Sequence, residues 1–246
     1  MSNFFYLNSP LEQFQITPLI NFLIIFITNS TFIFIFLALY LYIFIFILNK
    51  FIPTVFQQIF EVIYNVIIDL SYSNIGKNCK NYIPLIFSVF VFLLCCNLIG
   101  IIPYSFTITS HLAITFSLAL TLYLGYNFIG IKKHKLKFLN LLLPSGASIF
   151  LVPLLVPIEL ISYIFRVISL PVRLFANMMA GHTLLKVIAG FAWKMLNGGL
   201  ILFLSHFFIL ILLILLIGLE LGVGIIQAFV FTILTCMYIN DALNLH

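Results

Sequence analysis

Apolar runs of about 20 residues recur along this chain, and each is long enough to cross the hydrocarbon core of a bilayer. Inside lipid every backbone N–H and C=O must find its partner within the protein, which leaves helices and closed barrels as the spanning structures. Period-2 alternation is weak, so the runs read as helices. Only 7% of the residues are charged, against about 25% in soluble domains. The sequence predicts an all-α integral membrane protein with about five membrane helices and one interfacial amphipathic helix.

A single membrane domain covers 1–246, with a first span at 20–48 and spans at 82–102 and 107–130. Residues 53–74 differ. Gln58, Glu61, Asn65 and Asp69 recur at helical spacing and make a polar stripe on an otherwise apolar helix, which suits the membrane interface. Glu61 and Asp69 read as solvated. Residues 147–194 and 200–243 are each twice the length a perpendicular span needs. They are read as two long tilted helices in an antiparallel hairpin, with Gly198 and Gly199 at the turn and Pro153, Pro157 and Pro171 as bends.

Lys50, Lys77, Lys80, Lys132, Lys133, Lys135 and Lys137 all lie between apolar runs. Counting spans puts them on one side, which the positive-inside trend makes the inner side, with the N-terminus outside. The placement argues against nucleic-acid binding. Lys186 and Lys194 run against the trend and read as snorkelling to the outer surface. The first run is too long, and lacks a basic leader, for a cleavable signal peptide. Cys79, Cys95, Cys96 and Cys236 show no metal-ligand or disulfide spacing, and neither metal nor cofactor is expected.

Arg173 is the costliest residue to place. A guanidinium stays charged at physiological pH, and at a bilayer centre it costs from about 3 to above 10 kcal/mol. Residue numbers at one height of an antiparallel hairpin add to a constant. Glu159 with Asp241 and Arg173 with Gln227 each add to 400, and His182 with Glu220 to 402. Glu159 lies about 21 Å from Arg173 along a helix, and His182 about 13 Å on the other side. His and Glu exchange protons and arginine does not. The levels read as two proton-accessible regions, inner and outer, held apart by a fixed positive charge. Arg166 shares a stripe with Glu159 and Arg173, as a structural ion pair with Glu159 or as support for Arg173. Ala176 with Ala180, and Gly218 with Gly222, have the small-xxx-small spacing that allows close helix approach, within this chain or to a partner. His111 and His206 read as locally hydrogen-bonded or solvated.

These segments resemble subunit a of the F-type ATP synthase, ATPase subunit 6 in mitochondria. The resemblance is carried by SLPVRLFANMMAGH (169–182) and LELGVGIIQAFVFTILTCMYINDALNLH (219–246). It extends to SPLEQF (9–14), NLIGIIPYSF (97–106) and PLLVPIELISYIFRVISL (153–170). The resemblance implies a subunit with no catalytic site of its own that couples proton flow to rotation of a ring of c subunits. It implies Arg173 as the fixed charge facing a ring carboxylate. His182, Glu220, Asn177 and Gln227 would form the outer half-channel and the arginine's surroundings, and Glu159 and Asp241 the inner half-channel. Other F0 and peripheral-stalk subunits and membrane lipids are the further partners implied. His at 182 with Glu at 220 resembles the mitochondrial form. The resemblance therefore implies the mitochondrial inner membrane, and with the orientation expected from the lysines it implies an N-terminus in the intermembrane space and a C-terminus in the matrix. No P-loop is present, so direct nucleotide binding is not expected. A self-contained transporter would favour an internal repeat, and none is seen across the two halves. A purely structural membrane subunit would leave the intramembrane charges without a use.

Overall fold

The computed structural model describes residues 14–16, 18–22, 25–32, 34–35, 38–39, 55–102, 106–135, 138, 152–196 and 200–244. Among the described residues there are five long helices: α1 (Val55–Ile75), α2 (Ile83–Gly100), α3 (Leu112–His134), α4 (Val152–Leu196) and α5 (Leu200–Leu243). Among the described residues four helices, α2 to α5, are long and apolar enough to cross a membrane. At about 1.5 Å per residue α4 and α5 are each over 60 Å long, about twice the hydrocarbon core. Residues 197–199, which include the expected glycine turn, lie outside the described residues.

The expected first span is corrected at its start. Pro18–Phe22 (β1) and Ile25–Thr28 (β2) pair as antiparallel strands, with Asn21 opposite Phe26 and Phe22 opposite Ile25. The segment is rich in Ile, Phe and Thr, whose branched and aromatic side chains favour strand, and Pro18 stands at the strand's first position, where its missing N–H does least harm. Helical residues begin at Asn29, just after Thr28, whose backbone N–H donates to Thr31 Oγ1 at 2.9 Å. The rest of the expected span, 40–48, lies outside the described residues.

Contacts divide the chain into two compact units. The first holds the described residues before 50 together with those of Leu93–His111 and Leu174–Gln227. The second holds those of Lys50–Phe92, Leu112–Arg173 and Ala228–His246. The helices α2, α4 and α5 therefore contribute to both.

In the first unit α4 and α5 meet as an antiparallel pair. Ser205 Oγ lies 3.6 Å from Met195 Sδ, and His206 Nδ1 lies 2.9 Å from the Ala192 carbonyl. Further along, His182 meets Glu220, and Met178 lies against Gly224. The levels add to between 398 and 402, so the hairpin register expected from the sequence holds in this unit. The two lone histidines differ: His206 reaches across from α5 to an α4 carbonyl instead of bonding locally. The His111 ring stacks on Phe106 with centroids 4.9 Å apart.

In the second unit α1 buries Ile67, Ser71 and Ile75 on one face, while Gln58, Glu61, Asn65 and Asp69 are exposed, together with apolar residues such as Val62 and Ile59. The α3 helix runs on through Lys132, Lys133 and His134, beyond the end expected for this span at 130. The extension has an electrostatic use. Lys133 Nζ donates to the Leu243 carbonyl at 2.9 Å, and His134 Nε2 lies 2.9 Å from the same oxygen. The last carbonyls of a helix have no partner within it and carry partial negative charge, so basic side chains from α3 cap α5.

Hydroxyls within the apolar helices are satisfied by their own backbone. Ser71, Thr115, Thr121, Thr183, Thr232 and Thr235 each donate to a carbonyl three or four residues earlier. That bond removes the cost of carrying a hydroxyl in lipid or in the core. The outward faces remain apolar. Phe208, Ile214, Leu215 and Leu219 on α5 are all more than 60% exposed, a surface suited to lipid or to other membrane helices.

Candidate functional site

Two groups of chemically active side chains form, one in each unit. In the first, His182 Nε2 lies 3.4 Å from Glu220 Oε1, and both side chains are buried. The pairing follows from the hairpin register, and a glycine makes it fit. A Cβ placed on Gly181 would stand 2.8 Å from Glu220 Oε1 and 3.1 Å from its Cδ. The missing side chain at 181 is thus the space that the carboxyl occupies.

The His182 ring also hydrogen-bonds the backbone of Gly100, at the end of α2. Phe14 meets the ring edge-on, with centroids 6.3 Å apart. A cavity of about 220 Å³ opens beside the pair, lined by Asn177, Gly181 and Glu220 among apolar neighbours such as Met178 and Leu216. His182 Nε2 and both Glu220 carboxyl oxygens are buried and make no hydrogen bond among the described residues. Buried polar atoms are nearly always paired, and exceptions concentrate where chemistry is done. An imidazole and a carboxyl at this separation, beside a largely apolar cavity, can take up and pass on a proton.

The second unit holds Arg166, Arg173, Glu159 and Asp241. Arg166 Nη1 lies 3.6 Å from Asp241 Oδ2. Among the described residues Arg166 pairs with Asp241 and not with Glu159, the ion-pair partner its stripe offered. Arg166 shares the α4 stripe with Glu159 but lies two turns further on, and its long side chain reaches Asp241 from there. Tyrosines surround the pair. The Tyr126 and Tyr238 rings, and the Tyr123 and Tyr163 rings, meet at a tilt with centroids 5.3 Å apart in each pair, and the Tyr163 hydroxyl donates to Asn127 Oδ1.

Arg173 stands apart from these contacts. Its side chain is exposed on α4, and it makes no hydrogen bond or ion pair among the described residues. Ala176 and Ala180, also exposed, follow at helical spacing along the same face. Gly218 and Gly222 are likewise open on α5, because a Cβ added at either would meet nothing within 4 Å.

Of the residues singled out from sequence, His182, Glu220 and Asn177 thus line one site. Asp241 belongs to an ion pair with Arg166, and Gln227 is half-buried on α5. Three neighbours of the His182–Glu220 pair were quoted within motifs without a place at the site: Phe14, Asn97 and Gly100. Asn97 carried a usable signal as an amide inside an apolar run. Its Nδ2 donates to the Gly224 carbonyl at 2.9 Å, one turn beyond Glu220 on α5.

Comparison with known proteins gives the same direction. The ATP synthase A chain family matches residues 24–240. ATP synthase subunit a of Chondrus crispus is 47% identical over 253 residues, covering all of both chains. That of Marchantia polymorpha is 47% identical over 249 residues, 97% of this chain and 99% of the relative. That of Pylaiella littoralis is 49% identical over 248 residues, with the same coverage. A family match across most of the length, and relatives aligned nearly end to end, establish that this chain belongs to the ATP synthase subunit a family, a non-catalytic membrane component of the F0 sector.

Proposed function

We propose that this subunit carries protons through two offset half-channels against a rotating ring of c subunits, and so couples proton flow to ATP synthesis. The observation that carries the reading is Arg173, an exposed guanidinium on a membrane-spanning helix with no ion-pair partner among the described residues. An isolated charge at that depth is costly. A carboxylate supplied by a partner would offset the cost, and small residues at Ala176 and Ala180 would let a partner helix approach.

In this reading the His182–Glu220 pair, with Asn177 and the adjoining cavity, receives protons from the outer side. Gln227 belongs to the surroundings of Arg173. The proton neutralises a ring carboxylate, which then parts from the still-charged Arg173; the proton rides around the ring on that carboxyl and is released near Glu159 and Asp241. Arg173 attracts the next deprotonated carboxylate and repels a proton that would cross directly. One elementary charge falling through 100 mV releases about 2.3 kcal/mol, so several steps are summed for each ATP.

The interfacial position of α1, the mitochondrial inner membrane, an N-terminus in the intermembrane space and a C-terminus in the matrix belong to the same reading. So do peripheral-stalk subunits and lipids as further partners. Arg173→Ala in the reconstituted complex tests it. Loss of ATP-driven proton pumping with assembly intact is expected, and retained coupled pumping would overturn the reading.

A further inference from the structure

The last turn of α2 is the third wall of the His182–Glu220 site. Asn97 and Gly100 lie one turn apart on it. Asn97 reaches Gly224 on α5, and the backbone of Gly100 holds His182 on α4. Gly224 is one turn beyond Glu220, and Met178, packed on Gly224, is one turn before His182. The contacts close a ring around three helices, and Glu220 and His182 face each other inside it.

Asn97 is an unusual member of that ring. It is fully buried, and its Oδ1 makes no hydrogen bond among the described residues. An amide used only to fill space would be replaced at lower cost by a leucine of similar size, because a buried acceptor without a donor is destabilising. The Gly224 carbonyl that Asn97 engages is part of the α5 ladder, so the bond is an addition to a helix that does not need it to form. Its effect is therefore on position. It fixes the height and rotation of the α5 turn that presents Glu220. A Cβ at Gly224 would stand 3.5 Å from Asn97 Cβ, an ordinary contact, so the bond depends on the backbone carbonyl and not on the absence of a side chain there.

We propose that Asn97 is a positioning residue of the proton entry path: it pins α5 through the Gly224 carbonyl and so holds the Glu220 carboxyl against His182. The proposal rests on the proton-transport reading above and adds a residue to it. The groups that titrate at this site are Glu220 on α5 and His182 on α4. Lys186 follows one turn later on α4. The α2 turn contributes an amide and a backbone carbonyl, and the N-terminal segment contributes Phe14, none of which titrates.

The test uses the whole ATP synthase in proteoliposomes. Asn97→Leu keeps the volume and removes the donor, and Asn97→Asp keeps the shape and removes the Nδ2 donor. Both are expected to assemble and to slow proton-driven ATP synthesis about three- to tenfold, the range set by one hydrogen bond. The outer proton concentration giving half the maximal rate should rise by a similar factor. In a Glu220→Asp background, which withdraws the carboxyl by one methylene, Asn97→Leu should add little, because both act at one point.

A wild-type proton dependence in Asn97→Leu would overturn the proposal, as would full additivity with Glu220→Asp. Loss of assembly in both Asn97 variants would assign the residue to helix packing alone and overturn it equally. Arg173→Ala measured in parallel separates the two levels. If that variant still pumps, the proton-transport reading falls; if it does not pump and Asn97→Leu behaves as wild type, only the role of Asn97 falls.

Discussion

Gly181 on α4 and Glu220 on α5 are packed so closely that a Cβ at 181 would lie 2.8 Å from the Glu220 carboxyl oxygen. The helices can present a buried carboxyl to His182 because one of them carries no side chain at that point. Gly181→Ala should leave the subunit folded, since alanine is the better helix former by about 1 kcal/mol and the group it strikes is the movable end of a side chain. The carboxyl must turn away, and a misplacement of that kind is expected to slow proton transport about tenfold or more. Gly224→Ala is the control. Its Cβ would meet Met178 Cε at 3.4 Å, an ordinary contact, and transport should stay within about twofold of wild type. Proton-pumping rates of the two assembled variants check the contrast.

The Arg166–Asp241 pair links α4 to α5 in the second unit at 3.6 Å, with the side chains 41% and 36% exposed. A pair this open is worth about 1 kcal/mol or less in water. Removing one partner in a membrane-spanning region leaves the other charge uncompensated, which costs more than losing both. Arg166→Gln and Asp241→Asn should each lower the yield of assembled complex, and the double variant should recover part of that yield. A double-mutant cycle on thermal inactivation of the assembled complex measures the coupling. Strict additivity would show that the two side chains do not act as a pair.

How far the sequence disclosed this arrangement depends on which interaction decided each element. The spans follow from apolar length alone, and the His182–Glu220 pairing follows from hairpin arithmetic because both residues are short-range partners at one height. Arg166 found Asp241 instead of Glu159, because its side chain is long enough to reach across to α5, and spacing along α4 does not report that partner. The strand pair at 18–28 lies in an apolar run where strand and helix are equally compatible with the pattern, and the branched and aromatic residues favoured strand. The role of Asn97 was hidden for another reason. Its partner is a backbone carbonyl 127 positions away, which no spacing rule reports.

The cap that Lys133 and His134 place on α5 has a local signature. Both engage the Leu243 carbonyl at 2.9 Å, and no other chemistry is asked of them. Lys133→Ala should cost about 1 kcal/mol at the end of α5, the usual worth of a charge-assisted cap. Fraying there should raise amide hydrogen exchange at Ala242–Asn244 about fivefold while leaving Glu220 and its neighbours unchanged. A uniform rise along the whole of α5 would contradict a local cap.

Gly218 and Gly222 bear on the surface that a ring would use. A Cβ at either position meets nothing within 4 Å, and Leu219 beside them is 62% exposed. Within this chain, therefore, a larger residue at Gly218 or Gly222 has room. Gly218→Leu and Gly222→Leu should fold and insert as wild type, and each should gain helix propensity. If a c-subunit helix packs against this face, the same side chains would stand in its way, because close approach in membranes relies on small residues. The expected result is normal insertion of the subunit, together with about tenfold slower proton-driven ATP synthesis or a reduced amount of ring co-purifying with it. Wild-type synthesis with a full complement of ring in both variants would place the ring on another face of α5 and leave these glycines to lipid.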